Sequence, residues 1–473
     1  MAVTITNEFF ASLAALKLRF EMKRITPVIV ALVCLTGLQC KQASKQAPQE
    51  KQIATVPATD DVVMYEVFVR NFTPEGTFNA IIPQLERLKK LGVNVLWLMP
   101  IQPTGVENKK GTYGSPYAVQ NYTEVNPAYG TKVDFKRLVD SVHAKGMYII
   151  IDEVANHTAW DCPWVKEHPD WYTHDSTGKI TVPAGTDWTD VADLNYDNPD
   201  LRAAKIATLK YWIDSFNIDG YRCDVAEWVG YDWWKACIDT LRKIRPVMML
   251  AEGADPKLYD SGFDMTYGWS TYSAMKKLWG GKGTTATIDS SYKEELQKYP
   301  AHYHHIRFIT NHDENSWDGL PQVKFGTLDG SKAAFITAMT LPGVPLLYNG
   351  QEVGYPTRIN LFEKYTIDWS ANPELQQWYS NALAYYNSSD VLRRGTLDQF
   401  STENKSVLIY ERAVLGKDPL WVIVNAANEE VTAKLPAALQ NKKLADAISK
   451  EGIATEATMK LRPYEYHIVS VSQ

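Results

Sequence analysis

Residues 147–157 read MYIIIDEVANH, and this stretch decides the fold class. Its first five residues form a nearly continuous apolar run, which is typical of a parallel strand covered on both faces. Seven further β-rich stretches follow or precede it, and helical patterns lie between most of them. The eight predicted strands cover residues 62–69, 93–99, 147–151, 218–224, 247–251, 263–267, 306–310 and 344–348.

Helical patterns alternate with these strands. They cover residues 80–91, 132–145, 199–216, 233–244, 331–341 and 373–388. Pro199 and Pro373 suit the first turn of a helix. Eight β/α repeats predict a closed parallel (β/α)8 barrel, a TIM barrel, whose chemistry lies at the carboxyl ends of its strands. An open doubly wound sheet is less favoured, because no glycine-rich phosphate loop follows the first strand.

The pattern divides the chain into a barrel, an insertion and a C-terminal domain. We predict the α/β barrel over residues 61–390, with a short inserted subdomain at about 158–196, after the third strand. A connection of this length in a compact domain is usually functional or a small subdomain. Residues 391–473 alternate as antiparallel strands do, which predicts a β-sandwich-like domain.

The N-terminal region has the pattern of an export signal. The segment Met22-Lys23-Arg24, with two basic residues, precedes an apolar run over 25–38 and then Cys40. This order is typical of a secretory signal, and the run is too short for a stable membrane-spanning helix. We predict a signal region over 1–40, with residues 1–21 as an upstream extension. Residues 41–60 have the composition of a flexible linker.

The position of Cys40 resembles a bacterial lipoprotein cleavage site. The resemblance implies membrane attachment through a lipid on Cys40, and a plain secreted protein is the alternative. We therefore predict export from a bacterial cytoplasm, as a periplasmic or outer-membrane lipoprotein or as a secreted protein. The pattern makes no prediction about the oligomeric state.

Charge and cysteine content exclude several classes of protein. Lys and Arg total 49 against 55 for Asp and Glu, a net charge of −6. This balance argues against a nucleic-acid partner, which requires a basic face. Beyond the signal region only Cys162, Cys223 and Cys237 remain. Their odd number and spacing indicate neither a disulfide framework nor a zinc site.

Polar residues cluster where four of the predicted strands end. The third, fourth, fifth and seventh strands run into DEVANH (152–157), GYRCD (220–224), LAEG (250–253) and TNHD (310–313). Each segment places a carboxylate at the edge where a barrel keeps its active site. One such residue could be a helix cap, but four, with an arginine and two histidines, indicate a catalytic site.

Asp224 and Glu252 follow adjacent strands and form the paired carboxylates that glycoside cleavage requires. Arg222 lies two residues before Asp224, so both side chains point to the same face of the strand. We expect this cation to lower the pKa of Asp224 and favour its ionised form. The apolar residues before Glu252 and the neighbouring carboxylate should raise the pKa of Glu252.

The four strand-end segments resemble the four signature regions of the α-amylase family, glycoside hydrolase family 13. The resemblance runs from about residue 62 to the C-terminus. It implies Asp224 as nucleophile, Glu252 as general acid and base, and Asp313 as stabiliser of the transition state. It further implies a substrate-binding set in which Arg222 pairs with Asp224, His157 and His312 donate to sugar hydroxyls, and Tyr117 lies under the reacting ring.

The implied activity is retaining hydrolysis of α-1,4-glucosidic bonds in starch, maltodextrins or related α-glucans, by double displacement. A transglycosylase or an α-glucosidase of the same family is the alternative. A non-catalytic sugar-binding relative is a remote one, because such relatives typically lose the carboxylates. An unrelated metal-dependent barrel enzyme is a further, less favoured alternative.

Two features of the chain depart from the family pattern. Glu227 and Trp228 stand where many members place a Lys-His pair that binds the leaving-side sugar and supports a calcium site. The insertion is also short for a calcium shell of six to eight oxygens. We therefore expect no required cofactor and no confident metal site. Asn156 would be a ligand if calcium were bound.

Tryptophans concentrate in the insertion. Trp160, Trp164, Trp171 and Trp188 would form either a small packed core or a sugar-binding surface.

Overall fold

Eight parallel strands form a closed ring in the computed structural model, which describes residues 55–400 and 403–471. Around the ring, the fifth, fourth, third, second and first strands lie side by side in that order. The eighth, seventh and sixth strands follow the first. An isolated parallel bridge between Leu250 and Met265 joins the fifth strand to the sixth and closes the ring. The strands are Met64–Val67, Val95–Leu98, Tyr148–Glu153, Gly220–Cys223, Met248–Ala251, Thr266–Tyr267, His305–Arg307 and Val344–Tyr348.

This arrangement confirms the predicted barrel and rejects the open sheet. Burial on both faces explains the continuous apolar runs, since Ile149, Ile150 and Ile151 are all fully buried. The signal region 1–40, Cys40 and residues 41–54 of the linker lie outside the described residues. No helix in the described part of the chain is long and apolar enough to cross a membrane.

Helices connect the strands and cover the outside of the barrel. Local signals set several of their starts: the Asn198 side chain accepts hydrogen bonds from the first-turn amides of the helix that begins at Pro199. The α-helices are Val69–Phe72, Phe78–Ile81, Leu85–Leu91, Lys132–Ala144, Pro163–Glu167, Pro199–Phe216, Tyr231–Arg242, Lys257–Asp260, Trp269–Trp279, Thr285–Lys298, Pro321–Lys324, Leu328–Thr340, Pro373–Ser388 and Asp390–Arg394.

Two helices between the sixth and seventh strands were not predicted. They are Trp269–Trp279 and Thr285–Lys298, and hydroxyl and aromatic residues of low helix propensity occupy much of both. Tertiary packing stabilises them, because Tyr272, Leu278 and Ile288 are buried against the barrel core.

The insertion builds a small subdomain against the third strand. His157–Ala159 pairs antiparallel with Val191–Asp193. Trp171, Tyr172 and Leu194 form the buried centre of its core, and Trp160 and Trp164 pack against it. Trp188 lies apart from this core and packs against a different small cluster. Three of the four insertion tryptophans therefore belong to the core of the subdomain.

The C-terminal region is antiparallel throughout. Its six-stranded sheet has the order Thr396–Phe400, Val407–Ala413, Leu420–Asn425, Tyr466–Val471, Lys443–Asp446 and Gly452–Ala454. A two-stranded ribbon, Val431–Lys434 with Thr458–Leu461, packs its apolar side chains on one face of that sheet. The sheet contacts the barrel through the Tyr410 and Thr340 hydroxyls, 2.5 Å apart.

A close approach of two strands lies directly below the catalytic edge. Gly220 begins the fourth strand with φ +151, and a Cβ there would be 1.8 Å from the Met248 carbonyl oxygen of the fifth strand. Only glycine fits this contact. The fourth and fifth strands, which end at Asp224 and Glu252, are therefore held tightly together.

Candidate active site

Six of the seven predicted site residues line one cavity of about 520 Å³ at the carboxyl edge of the barrel. The seventh, Arg222, is fully buried beneath them. The residues that line the cavity are Tyr117, His157, Asp224, Glu252, His312 and Asp313. They come from segments up to 196 residues apart, since Tyr117 and Asp313 bound the set, and the parallel strands bring them to one edge.

One guanidinium organises the carboxylates. Arg222 Nη1 lies 2.9 Å from Asp224 Oδ1 and 2.9 Å from Asp152 Oδ1. Its Nη2 lies 2.8 Å from Glu252 Oε2. Since Arg222 is excluded from water, these contacts are not screened by solvent. The cation therefore fixes the positions of both predicted catalytic carboxylates.

Burial is the main influence on the pKa values of Asp224 and Glu252. It raises the pKa of Asp224 to about 6, and the lowering effect of Arg222 does not offset it. The expected net lowering of the pKa of Asp224 is therefore wrong: desolvation of a nearly enclosed carboxylate outweighs a single cation shared among three acids. Burial also raises the pKa of Glu252 to about 7, with a further contribution from the charge of Asp224. That prediction is confirmed.

The backbone after Asp224 turns sharply toward Glu252. Val225 has φ +35, a left-handed conformation that is strained for a β-branched residue. Its N–H donates a 2.8 Å hydrogen bond to Glu252 Oε2. This hydrogen bond orients the Glu252 carboxyl group, and strained backbone of this kind is typical of functional sites.

His312 is held between two acids and an aromatic ring. Its Nδ1 is hydrogen-bonded to Glu66 Oε1, and its Nε2 lies 2.8 Å from the Tyr117 hydroxyl. The imidazole also stacks on the Tyr117 ring, with centroids 5.2 Å apart. Burial lowers the pKa of His312, but the charges of Asp313 and Glu66 outweigh it and raise the pKa to about 9. His312 is therefore an imidazolium at neutral pH.

His157 has the opposite charge state. Burial lowers its pKa to about 3, so the ring is neutral. Its Nδ1 lies 3.3 Å from Asn156 Nδ2, and its ring packs edge-on against Trp188, with centroids 5.4 Å apart. The two histidines thus offer one neutral and one cationic donor to the same cavity.

Asp313 is the most accessible of the three carboxylates. Its side chain is 38% exposed, and Oδ2 lies 3.4 Å from His312 Nε2. A π-helical turn, Glu314–Asp318, begins directly after it. Such turns are rare and frequent at functional sites. Asp313 lines the same cavity as Asp224 and Glu252.

The structure adds residues that the sequence argument missed. Glu66 and Trp97 lie at the ends of the first and second strands, and Trp97 Nε1 donates to Asp152. A charged residue within an otherwise apolar strand was a usable signal for Glu66. Trp317 and Phe362 also line the cavity, and no local pattern pointed to them; Trp188, one of the clustered tryptophans of the insertion, lines it as well.

The described residues contain no cluster of three or more His, Cys, Asp or Glu side chains arranged to hold a metal ion. The cavity instead presents two carboxyl groups of unequal acidity beside a fixed cation. Such a pair can supply a nucleophile and a proton donor at the same pH. The aromatic lining and the histidine donors suit a ligand with apolar faces and several hydroxyls.

Comparisons with known proteins agree with this geometry. The family model of the α-amylase catalytic domain matches residues 57–240. The crystal structure of the maltogenic α-amylase AmyB from Thermotoga neapolitana is 30% identical with a TM-score of 0.80, over 88% of this chain and 100% of that one. An α-amylase from Lactobacillus plantarum is 28% identical with a TM-score of 0.79, over 88% of this chain and 100% of that one.

Curated relatives extend further than this chain. Alpha-amylase MalA of Haloarcula japonica is 29% identical over 400 residues, which are 80% of this chain and 57% of that protein. Alpha-amylase 3 of Dictyoglomus thermophilum is 28% identical over 338 residues, 63% of this chain and 65% of that protein. The chain thus spans 57% and 65% of the length of these relatives. Sequence identity, complete coverage of a solved structure and the shared fold together show that the chain belongs to the α-amylase family.

Proposed function

We propose that the protein is a retaining glycoside hydrolase that cleaves α-1,4-glucosidic bonds of starch, maltodextrins or related α-glucans. One observation carries the proposal: Asp224 and Glu252 line the same cavity and contact the same buried guanidinium, and burial raises the pKa of Glu252 to about 7. One carboxyl group can thus be ionised while the other holds a proton, as double displacement requires.

The first step forms a covalent intermediate. An ionised Asp224 oxygen attacks the anomeric carbon as the bond from that carbon to the glycosidic oxygen breaks. The proton of Glu252 passes to the leaving oxygen, so no free alkoxide forms. The product of this step is a glycosyl ester on Asp224, with an ionised Glu252.

The second step releases the sugar. The Glu252 carboxylate takes a proton from water, and the water oxygen attacks the anomeric carbon as the bond to Asp224 breaks. Two inversions return the α configuration. The cationic His312 and the neutral His157 would donate to sugar hydroxyls, and the carboxylate of Asp313 would stabilise the positive charge that develops on the ring.

Mutation of the two carboxyl groups tests the assignment. Asp224→Asn and Glu252→Gln should each lower kcat on maltooligosaccharides by several powers of ten. Asp200→Asn, an exposed carboxylate at a helix start, is the matched control and should retain activity. NMR of the first product should show the α anomer. A β anomer, or near-normal activity in Asp224→Asn, would contradict the mechanism.

The acceptor in the second step is tested separately. Water gives hydrolysis, whereas a second sugar would give transfer, and relatives of this chain include a cyclomaltodextrinase and a maltosyltransferase. We propose hydrolysis as the main reaction. Product analysis at high maltooligosaccharide concentration should show mainly shorter chains, and a majority of longer chains would identify a transglycosylase.

We propose that activity does not require calcium, although some members of the family bind this ion. Two carboxylates of the insertion that could act as ligands already have other partners: Asp170 Oδ2 accepts a hydrogen bond from Asn198 at 2.9 Å, and Asp190 Oδ1 pairs with Lys110 at 3.1 Å. Asn156 faces His157. Dialysis against a strong chelator should leave both activity and the melting temperature unchanged. A large loss that added calcium reverses would show that a site exists.

We also propose export and lipid attachment at Cys40, on the basis of the N-terminal sequence alone. Mass spectrometry of the protein from membranes should find a mature chain that begins with a lipidated Cys40. An unmodified N-terminus at another residue would contradict lipidation, and the full-length chain in the cytoplasm would contradict export.

A further inference from the structure

A long loop after the second strand reaches across the catalytic edge of the barrel. Residues 105–116, here called the strap, leave and rejoin the barrel at one point, because the Gly105 N–H donates to the Ala118 carbonyl oxygen at 2.8 Å. Lys110 and Ser115 of the strap line the catalytic cavity. The strap is therefore part of the cavity wall.

On one side the strap is bonded to the insertion. Near its base, the Val106 N–H donates to Asp161 Oδ2 at 3.0 Å. Further along, the Lys110 ammonium lies 3.1 Å from the Asp187 carbonyl oxygen and 3.1 Å from Asp190 Oδ1. The Asp190 side chain is buried, so solvent screens this ion pair only in part. These contacts leave the strap and the insertion as one continuous wall.

On its other side the strap is bonded to the loop after the eighth strand. The Tyr113 N–H donates to the Phe362 carbonyl oxygen at 3.0 Å, and the Thr112 N–H donates to Glu363 Oε1 at 3.0 Å. At Gly111, with φ +65, a Cβ would lie 2.5 Å from the Phe362 Cβ. The two loops are therefore in direct contact, with little space between them.

A buried cation holds this junction from below. Arg70 belongs to the short helix after the first strand, and its Nη1 donates to the Gly114 carbonyl oxygen at 3.2 Å and to the Leu361 carbonyl oxygen at 2.7 Å. Beyond the junction the Phe362 ring packs on Trp317, with centroids 5.9 Å apart. The wall thus continues from the insertion, through the strap, to the turn after the seventh strand.

This wall lies opposite the proton donor. In the closed ring of eight strands the first strand lies across from the fifth, which ends at Glu252. The strap meets the loop after the eighth strand above the first strand, where Arg70 joins them. In the proposed mechanism Glu252 protonates the leaving oxygen, so the leaving portion of the chain lies on its side. The other portion, which carries the non-reducing end, then extends toward the wall.

A second cavity lies behind the wall. Its volume is about 330 Å³, and Arg70, Tyr113 and Lys364 are among the residues that line it. The two cavities have no lining residue in common. The strap therefore separates the catalytic cavity from space that a longer chain would otherwise enter.

We propose that the strap makes the protein an exo-acting enzyme, which takes in the non-reducing end of an α-glucan chain and releases short products of uniform length. The inference rests on the proposed function and adds the position of the cut. A closed end admits only the glucosyl units that fit between the wall and the catalytic carboxyl groups, so the distance from the chain end fixes the bond that is cleaved. A cleft open at both ends would instead accept the middle of a chain.

A blocked chain end tests the proposal on the unmodified enzyme. Maltoheptaose capped with an ethylidene bridge on O4 and O6 of its non-reducing glucose should have a kcat/KM about 100-fold below that of uncapped maltoheptaose, because the bridge collides with the wall. Early in the reaction with uncapped maltoheptaose, one product length and its complement should dominate in chromatography.

Variants of the strap test whether the wall is the cause. Replacement of residues 107–112 by two glycines should join the two cavities and raise the ratio of capped to uncapped kcat/KM at least about tenfold. Lys110→Met, which frees the strap from Asp187 and Asp190, should raise the same ratio to a smaller extent. Lys109→Met is the matched control and should leave both rates unchanged, because its ammonium is bonded to the Thr112 carbonyl oxygen within the strap.

The outcomes separate this inference from the proposed function. Values of kcat/KM within about threefold on capped and uncapped maltoheptaose, or a broad mixture of early products, would overturn exo action while the proposed function stands. A strap with a structural role alone would lower both rates together in the shortened variant and leave their ratio unchanged, which would overturn its assignment. Failure of the unmodified enzyme to cleave uncapped maltoheptaose would instead overturn the proposed function, and this inference with it.

Discussion

The pH dependence of cleavage follows from the acidities of the two carboxyl groups. Asp224 must be ionised and has a pKa of about 6, so activity falls as the pH drops through that value. Glu252 must hold a proton and has a pKa of about 7, so activity falls as the pH rises through that one. We therefore expect a narrow bell-shaped profile of kcat/KM with its maximum at about pH 6.5.

The size of the effect follows from the same two values. At about pH 6.5, about 60% of molecules have Asp224 ionised and Glu252 protonated. At about pH 4.5 and about pH 8.5 this fraction is about 3%, so kcat/KM should be about 20-fold lower at both. The two groups share Arg222, so the limbs report apparent values of the pair.

The assay is the initial rate of maltoheptaose cleavage in overlapping buffers of constant ionic strength. Tryptophan fluorescence at each pH is the control for unfolding, since Trp97, Trp212, Trp233 and Trp234 are buried in the barrel. A maximum above about pH 8, or a level rate between about pH 5 and about pH 8.5 in folded protein, would show that burial does not raise the pKa values of Asp224 and Glu252 as described.

Two further substitutions test buried pairs. Glu66→Gln removes a negative charge beside His312, so the pKa of His312 should fall from about 9 by about one to two units, as measured by NMR titration of its imidazole; an unchanged pKa would contradict the contact. Lys205→Met leaves Glu153 buried without its partner and should lower the free energy of unfolding by about 3–5 kcal/mol in urea titrations. Lys210→Met, an exposed lysine of the same helix, is the control, and equal effects of about 0.5 kcal/mol would show that the buried pair contributes little.

The sequence by itself determined the barrel and the catalytic edge. Apolar runs such as residues 148–151 require cover on both faces, and the helices between them supply it. Once the strands are parallel, their carboxyl ends must share one edge, which brings Asp224, Glu252 and Asp313 together whatever the details of packing. The pattern of apolar residues along the chain, and the polar residues that follow each strand, were sufficient to predict both features.

Only the tertiary structure decided the charge states and the shape of the cavity. The pKa of Asp224 depends on how completely neighbouring chains exclude water, so a cation two residues away was a poor guide to it. Glu66 acts on His312 across 246 residues of chain, and Trp188 meets Trp228 from a separate subdomain. Such contacts depend on distances in space between segments that are remote in the chain, and no periodicity or short motif records those distances.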